Sequence, residues 1–317
     1  MAKVVTIGEI LVEIMTKYTG QEFTAPGELL GPYPSGAPAI FIDQVARMGV
    51  EAGIIARVGD DDFGLLNLTR LRDDGVDTSH IYMTKGYTTG TAFVTYYASG
   101  ERKFIFHFPH AAAGQLGPAD VDENYIKTAG YLHVVGCSLT ASASLRQAIW
   151  KAVKIAKENK VKVSFDPNLR PELLNEQEIK NVYDEILDAA DIILAGKSEV
   201  IALSGEGDLV KGIARLKEKD GTMLVLKDGA RGASLYYGEE CYHVPPVKVQ
   251  EVDPTGAGDC FDGAFIAALA CGKGLKEALQ IANVAGALSV TRKGPMEGAA
   301  FKEDILALYS RHNSSKV

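Results

Sequence analysis

Short runs of β-branched and aliphatic residues recur along this chain, and a stretch with helical periodicity follows most of them. The runs that predict strands are Val4–Ile7, Gly53–Val58, Tyr131–Val135, Val161–Phe165, Ile192–Leu194 and Met223–Leu226. Apolar residues spaced three and four apart predict the helices Ala39–Met48, Ser144–Glu158, Glu176–Asp188 and Leu209–Lys219. Strands that alternate with helices form a parallel sheet covered on both faces. The pattern therefore predicts a doubly wound α/β fold with a mainly parallel sheet.

One region departs from this alternation. Two strand-like runs, Thr91–Tyr97 and Arg102–Phe108, are joined by a turn signal that contains Gly100, which predicts a hairpin. On the second run Phe104, Phe106 and Phe108 share one face, so an aromatic face must be buried. Two interpretations stay open at this point. The hairpin either packs on the main core or joins residues around 11–34 to form a small β lid over a cleft.

Charge and composition exclude several classes of protein. The 317 residues carry a net charge of −8, which disfavours nucleic acid as a partner because phosphate contacts need a basic surface. The four cysteines form no CxxC pair, so neither a zinc site nor a disulfide framework is indicated. No apolar run is long enough for a signal peptide or a membrane span, and we expect a cytoplasmic protein without a membrane partner.

The segment from Asp253 to Asp259 carries the strongest indication of chemistry. Its sequence is Asp-Pro-Thr-Gly-Ala-Gly-Asp, and apolar residues spaced four apart after it predict a helix that begins close to Gly258. Small residues before a helix leave its first amides open, which makes the helix N-terminus an anion site. Asp259 falls in that first turn, where it could act as a base beside a bound phosphate. The alternative is a tight turn with an acidic helix cap.

Two common nucleotide signatures are missing. The chain contains no GxxxxGK[ST] run, and no GxGxxG run follows a predicted strand. Neither a P-loop nor a dinucleotide fold of the usual kind is therefore supported.

The Asp253–Asp259 run and the Ala/Gly-rich helix after it resemble the second signature of the PfkB (ribokinase-like) carbohydrate kinases. Further matches occur in the family's order over nearly the whole chain. They are Gly8-Glu9, Pro34–Ala39, Gly59–Gly64, Phe165–Pro171 and Asn283–Gly294. The resemblance implies a ribokinase-like kinase domain over residues 1–317, with a small β-sheet lid formed by about 11–34 and 88–110. It also implies an ATP-dependent sugar kinase that uses Mg²⁺ and, in some relatives, K⁺.

The resemblance assigns roles to individual residues. It implies that the amides of Gly256, Ala257 and Gly258 form an anion hole and that Asp259 is the general base. The residues expected to bind the sugar are Glu13, Gly36, Ala37, Arg102, Arg170 and Asp259. Two of these follow from position: Arg170 ends a strand in a loop that should face the cleft, and Arg102 lies beside the hairpin turn. The alternatives are a structural ion pair for Arg170 and an exposed side chain for Arg102. The residues expected to bind the nucleotide are Asn168, Lys197, Glu199, Lys227, Gly229, Gly232, Gly256, Gly258 and Asn283. Glu199 would also hold Mg²⁺ through water, and the expected monovalent-cation site comprises Asp253, Thr255, Ser289 and Gly294.

Several positions differ from the family pattern. Glu13 stands where many relatives have Asp, and Ile40 stands where many have Asn, so sugar hydroxyls must be held differently. Lys197 replaces the Asn of the Asn-x-x-Glu motif and could approach phosphates as a point charge or remain a solvated surface lysine. Ala98 stands where kinases of 2-keto-3-deoxygluconate often have Arg. These differences favour a neutral ketohexose, tagatose or fructose, as the substrate.

Other functions stay open at the level of sequence. The first alternative substrate is 2-keto-3-deoxygluconate, followed by a ribonucleoside. A sugar-binding regulator without activity is a different class of protein, but the presence of Asp259 beside Gly-Ala-Gly argues against it. The short strands and aromatic face of the hairpin also predict a homodimer formed through the lid.

Overall fold

The computed structural model describes residues 3–169, 176–219 and 221–314. The strands are β1 Lys3–Ile7, β2 Leu11–Thr16, β3 Leu29–Ser35, β4 Ala52–Gly59, β5 Ile81–Thr84, β6 Gly90–Tyr96, β7 Arg102–His107, β8 Ala129–Val135, β9 Lys162–Asp166, β10 Ile192–Gly196, β11 Met223–Lys227, β12 Ala233–Tyr237 and β13 Glu240–Val244. The helices are α1 Ala37–Arg47, α2 Asp62–Asp73, α3 Glu123–Lys127, α4 Gly136–Ala141, α5 Ala143–Glu158, α6 Glu176–Ala189, α7 Lys197–Ser204, α8 Leu209–Leu216, α9 Ala257–Ala270, α10 Leu275–Ser289 and α11 Lys302–Ser314.

The described residues form a large sheet in the strand order β13-β12-β11-β10-β9-β8-β1-β4-β5. In this order, the seven neighbouring strands from β11 to β5 run parallel to one another. Strands β12 and β13 add an antiparallel edge. Separate apolar cores lie on its two faces: α1, α9 and α10 contribute to one, and α5 to the other. The doubly wound α/β fold predicted from the sequence is therefore confirmed.

A second, smaller sheet has the strand order β3-β2-β6-β7. Strand β2 pairs with β3 in antiparallel and with β6 in parallel, and β6 and β7 form the predicted hairpin. The side chains of β7 alternate, so that Phe104 and Phe106 are less exposed than Lys103 and Ile105 between them. Strands from two distant segments thus meet in one sheet, which we call the small sheet.

The elements differ from the sequence-based prediction mainly at their ends and at the two edges of the large sheet. Helix α8 ends at Leu216 rather than Lys219, and α1 begins at Ala37 rather than Ala39. The hairpin of β12 and β13 and the edge strand β5 were not predicted, because short, partly exposed strands carry little hydrophobic periodicity. Among the described helices, none is long and apolar enough to cross a membrane.

Candidate active site

The N-terminus of α9 lies where the two candidate pockets of the protein meet. Gly256 precedes the helix with a φ of 78°, a left-handed conformation that glycine adopts without strain. A Cβ at this position would lie 2.3 Å from the carbonyl oxygen of Pro295. The Ala257 amide makes only a long hydrogen bond of 3.4 Å, to Pro254 O. We call residues 253–258 the anion loop, because its geometry opens the first amides of α9 toward both pockets.

Asp259 is buried in the first turn of α9. Its Oδ1 accepts a hydrogen bond of 3.4 Å from the Asn168 side-chain amide. Asn168 adopts a φ of 39°, and its own Oδ1 is buried with no hydrogen-bond partner among the described residues. A buried amide oxygen without a partner is costly, so this atom is suited to accept a hydrogen bond from a ligand or a bound water.

The first cavity, which we call the acidic pocket, has a volume of about 220 Å³ and lies between the small sheet and the anion loop. Its acidic lining residues are Glu9, Glu13, Asp166, Glu199 and Asp259. Its basic lining residues are Arg102 and Lys227. Gly36, Ala37 and Ile40 at the start of α1 line the same cavity, opposite the phenylalanines of β7. The carboxyl groups of the lining therefore outnumber its cations.

Lys227 lies at the end of β11 and is held by two buried carboxylates. Its Nζ donates to Asp166 Oδ2 at 3.1 Å and to Asp262 Oδ2 at 2.9 Å. Burial by itself would lower the pKa of Lys227, but Asp166 and Asp262 outweigh it and raise that pKa. Burial would likewise raise the pKa of Asp166, but the Lys227 ammonium lowers it. A charged lysine is therefore fixed at about 3.5 Å from the position of a Cβ on Gly258.

The second cavity, which we call the groove, has a volume of about 600 Å³ on the other side of the anion loop. The predicted nucleotide residues Gly229, Gly232 and Asn283 line it, together with Lys227 and Gly258. Aliphatic side chains and backbone make up most of the remaining wall, with Phe261 of α9 at its base. The Asn283 amide donates to Pro245 O at 2.8 Å, which holds the edge of the groove and leaves the Asn283 Oδ1 for a ligand.

Two other residues predicted to bind the nucleotide, Glu199 and Lys197, contact neighbouring loops of the protein. Both carboxylate oxygens of Glu199 accept backbone amides, from Leu169 at 3.0 Å and from Gly196 at 2.7 Å. Burial, followed by the nearby Asp166, raises the pKa of Glu199. Lys197 lines neither cavity and forms an ion pair of 2.7 Å with Asp228, which lines the groove.

The residues predicted to surround a monovalent cation lie close together. Asp253 Oδ1 accepts the Thr255 amide, and Asp253 Oδ2 accepts the Gly294 amide, each at 3.0 Å. The Ser289 hydroxyl donates to Gly286 O within α10. Asp253 therefore joins the anion loop to the segment that follows α10. Among the described residues, no group of three or more His, Cys, Asp or Glu side chains could hold a metal ion.

The small sheet supplies two predicted sugar residues, Glu13 and Arg102, to the acidic pocket. Arg102 also donates to Thr255 Oγ1 at 3.2 Å. Ala98 lies exposed at the hairpin turn and does not line the cavity. Arg170, the remaining predicted sugar residue, lies outside the described residues.

Some residues of the site were missed by sequence reasoning. Glu9 is buried in the acidic pocket and accepts hydrogen bonds from Cys137 Sγ, at 3.2 Å, and from Ser138 Oγ. Asp166 and Asp262 position Lys227, and Tyr96 contacts the anion loop. Glu9 and Asp166 belong to runs that match the family, but one sequence does not show which distant side chains they meet.

Comparisons with known proteins agree with this geometry. The pattern of the pfkB family carbohydrate kinases matches residues 1–301. Fructokinase-1 of Oryza sativa subsp. japonica is 35% identical, over 96% of this chain and 97% of that protein.

Among solved structures, an E. coli protein described as a ribokinase II, in complex with ATP and Mg²⁺, is 47% identical, with a TM-score of 0.93 over 98% of this chain and 100% of the other. A fructokinase double mutant from Vibrio cholerae O395, bound to fructose, ADP and potassium, is 28% identical, with a TM-score of 0.87 over 98% of each chain. The chain belongs to the pfkB family of carbohydrate kinases and is an ATP-dependent sugar kinase.

Proposed function

We propose that this protein phosphorylates a neutral ketohexose, fructose or tagatose, with Asp259 as the general base. The observation that carries the proposal is the excess of carboxylates over cations in the acidic pocket, next to the N-terminus of α9. The similarity to fructokinases supports a substrate of this class.

The two cations of the acidic pocket are already engaged. Lys227 is held by Asp166 and Asp262, and Arg102 donates to the Thr255 hydroxyl. A sugar acid would bring its carboxylate among Glu9, Glu13 and Asp259, against Arg102, the described lining cation that is not already paired with a carboxylate. Neutral hydroxyls, by contrast, can donate hydrogen bonds to carboxylates. This charge distribution favours a neutral sugar over 2-keto-3-deoxygluconate.

The mechanism follows from the position of Asp259. A sugar hydroxyl beside this carboxylate would transfer its proton to Asp259 as the hydroxyl oxygen attacks the γ-phosphorus of ATP, and the bond from that phosphorus to the oxygen of the leaving ADP would break. The amides at Gly256, Ala257 and Gly258 would stabilise the negative charge that develops on the transferred group. Lys227, fixed under Gly258, adds a positive charge that needs no rearrangement. The chain therefore combines a base and a preorganised anion hole.

ATP with Mg²⁺ supplies the phosphoryl group, and the residues present fit this pair. The groove is long and apolar enough for a base and ribose, and it ends at the anion loop. Asn168 Oδ1 and the lone pairs of Glu199 that face the acidic pocket can hold the waters of a magnesium ion, which usually keeps several waters. A potassium ion would bind near the backbone of Asp253, Thr255 and the segment 289–294.

The test is the release of ADP with a panel of sugars. The panel contains fructose, tagatose, 2-keto-3-deoxygluconate, ribose and adenosine, each at several concentrations. We expect the highest kcat/KM with fructose or tagatose. Preference for the sugar acid would overturn the ketohexose assignment, preference for adenosine would indicate a nucleoside kinase, and binding without turnover would indicate a regulator.

The proposal includes a homodimer formed through the small sheet. Ile105 is exposed on the outer face of β7, where Phe93 and His107 also lie with their rings 5.7 Å apart. An exposed sheet face with apolar side chains is suited to contact a second copy of the same sheet. The small sheet would then act as a lid over the acidic pocket while it holds the dimer together.

A further inference from the structure

The small sheet is tied to the anion loop by a short chain of hydrogen bonds. Tyr96 at the end of β6 and Arg102 at the start of β7 are directly opposite each other in the hairpin. Both side chains converge on the anion loop. The Tyr96 hydroxyl donates to Asp253 Oδ1 at 3.0 Å and lies 2.9 Å from Thr255 Oγ1, to which Arg102 Nη1 donates at 3.2 Å.

The donors and acceptors of this chain of hydrogen bonds fit in only one order. Tyr96 has one hydroxyl proton, which goes to the carboxylate, so Thr255 donates its own proton to the Tyr96 oxygen. Thr255 Oγ1 in turn accepts from Arg102. The sequence of donation is Arg102 to Thr255 to Tyr96 to Asp253. Linked hydrogen bonds strengthen one another, so the loss of one hydroxyl affects the whole chain.

Asp253 connects this chain to the rest of the site. Its Oδ1 also accepts the Thr255 amide and its Oδ2 accepts the Gly294 amide. Gly256, Ala257 and Gly258 follow directly after Thr255 and precede the base Asp259. The hydrogen-bonded chain therefore links the small sheet to the residues that would hold the transferred phosphoryl group.

We propose that Tyr96 is a positioning residue, which ties the small sheet to the anion loop and so fixes the catalytic geometry of that loop. Tyr96 lines neither the acidic pocket nor the groove, so its hydroxyl acts through Asp253 and Thr255 rather than on a substrate. The inference rests on the proposed function, in which a sugar lies under the small sheet and the anion loop holds the transferred phosphoryl group. It assigns to this sheet a part in building the anion hole in addition to covering the sugar.

The residue after Tyr96 in the sequence, Tyr97, provides a matched control. The Tyr97 hydroxyl donates to Glu22 Oε1 at 2.6 Å, away from the anion loop. Tyr96→Phe and Tyr97→Phe each remove one hydroxyl from neighbouring positions of the same hairpin. A general weakening of the hairpin would affect both variants, whereas a coupling to the anion loop would affect only the first.

The test has one measurement that needs no substrate and one that does. Hydrogen–deuterium exchange of the peptide covering 253–259 should be about fivefold faster in Tyr96→Phe than in Tyr97→Phe, the effect of one net hydrogen bond. With the sugar that the wild type phosphorylates best, kcat should fall about fivefold in Tyr96→Phe while the KM for ATP stays within about twofold, and Tyr97→Phe should match the wild type.

Equal exchange rates in the two variants, or equal kcat values, would overturn the inference. If the wild type phosphorylates no sugar of the panel, the proposed function fails, and the exchange measurement still decides on Tyr96 by itself. The double variant Tyr96→Phe/Thr255→Val gives an independent check. Its effect on exchange should be clearly smaller than the sum of the two single effects, because both changes break the same chain.

Discussion

The acidic pocket and the groove meet at the N-terminus of α9, yet they are built from different groups. The acidic pocket is lined by buried carboxylates and by the phenylalanines of the small sheet. The groove, at about 600 Å³ against about 220 Å³, is lined mainly by backbone and aliphatic side chains. Lys227, Pro254, Ala257 and Gly258 line both. Charged groups stabilise the transition state, so changes in the acidic pocket should alter kcat. An apolar surface binds a ligand by its shape, so changes in the groove should alter the KM for ATP.

The largest effect is expected from Asp259→Asn in the acidic pocket. The variant should lose about 10²- to 10⁴-fold in kcat, because an amide cannot accept the proton of the sugar hydroxyl. The KM for ATP should remain near the wild-type value, which serves as the internal control. Steady-state ADP release at saturating sugar measures both constants. Turnover close to that of the wild type would contradict the role given to Asp259.

Lys227→Met tests the group shared by the two pockets. Removing the ammonium leaves Asp166 and Asp262 buried without their cation, which should cost about 3 kcal/mol in the free energy of unfolding. Burial already raises the pKa of Asp262 above its ordinary value although Lys227 opposes the shift, so that pKa would rise further, and the pKa of Asp166 would rise above its unfolded value. Stability of the variant should therefore increase as the pH falls, and the deficit relative to the wild type should be smaller at pH 5 than at pH 8.

Urea unfolding at the two pH values measures this difference. Lys211→Met is the matched control, since the Lys211 side chain is 72% exposed and lies 4.0 Å from its acidic neighbour Asp208. Its free energy of unfolding should stay within about 0.5 kcal/mol of the wild type. A deficit in Lys227→Met that does not change with pH would contradict the ion-pair argument.

The groove is tested by Ala287→Leu. Extra side-chain volume in the wall of the groove should raise the KM for ATP about tenfold, or ~1.4 kcal/mol, and leave the KM for sugar unchanged. Ala202→Leu makes the same change at an exposed position of α7 and should have no effect on either constant. A fall in kcat without a change in the KM for ATP would contradict the assignment of ATP binding to the groove.

Sugar choice tests the charge of the acidic pocket. We expect kcat/KM for fructose or tagatose to exceed that for 2-keto-3-deoxygluconate by at least about tenfold, or ~1.4 kcal/mol. The cause is repulsion between the acid's carboxylate and Glu9, Glu13 and Asp259. High salt should reduce this ratio of kcat/KM values only slightly, because salt screens buried charges poorly. A ratio below one would place the acid's carboxylate on Arg102 or Arg170.

The smallest effect on turnover is expected from the outer face of the small sheet. Ile105→Lys places a charge on that face and should convert a homodimer to a monomer in sedimentation velocity. The KM for ATP should not change, since the groove lies on the other side of the anion loop. A wild type that sediments only as a monomer at micromolar concentration, with full activity, would remove the dimer proposal.

The sequence by itself determined the fold class and the segment that carries the chemistry. The alternating strand and helix runs required a covered parallel sheet, and the small residues before Asp259 required an open helix N-terminus. Both are local properties: a strand, a helix start or a glycine turn is specified by residues close together in the chain. The hairpin of β6 and β7 was predictable for the same reason.

Only the tertiary structure decided which side chains share a pocket and which hold one another. Lys227 meets Asp166 and Asp262 across 61 and 35 residues of sequence, and Tyr96 meets Asp253 across 157. It also paired Lys197 with Asp228 of the groove. Such contacts depend on strand order and on the packing of the small sheet against the anion loop, which hydrophobic periodicity does not encode because it reports only which face of an element is buried.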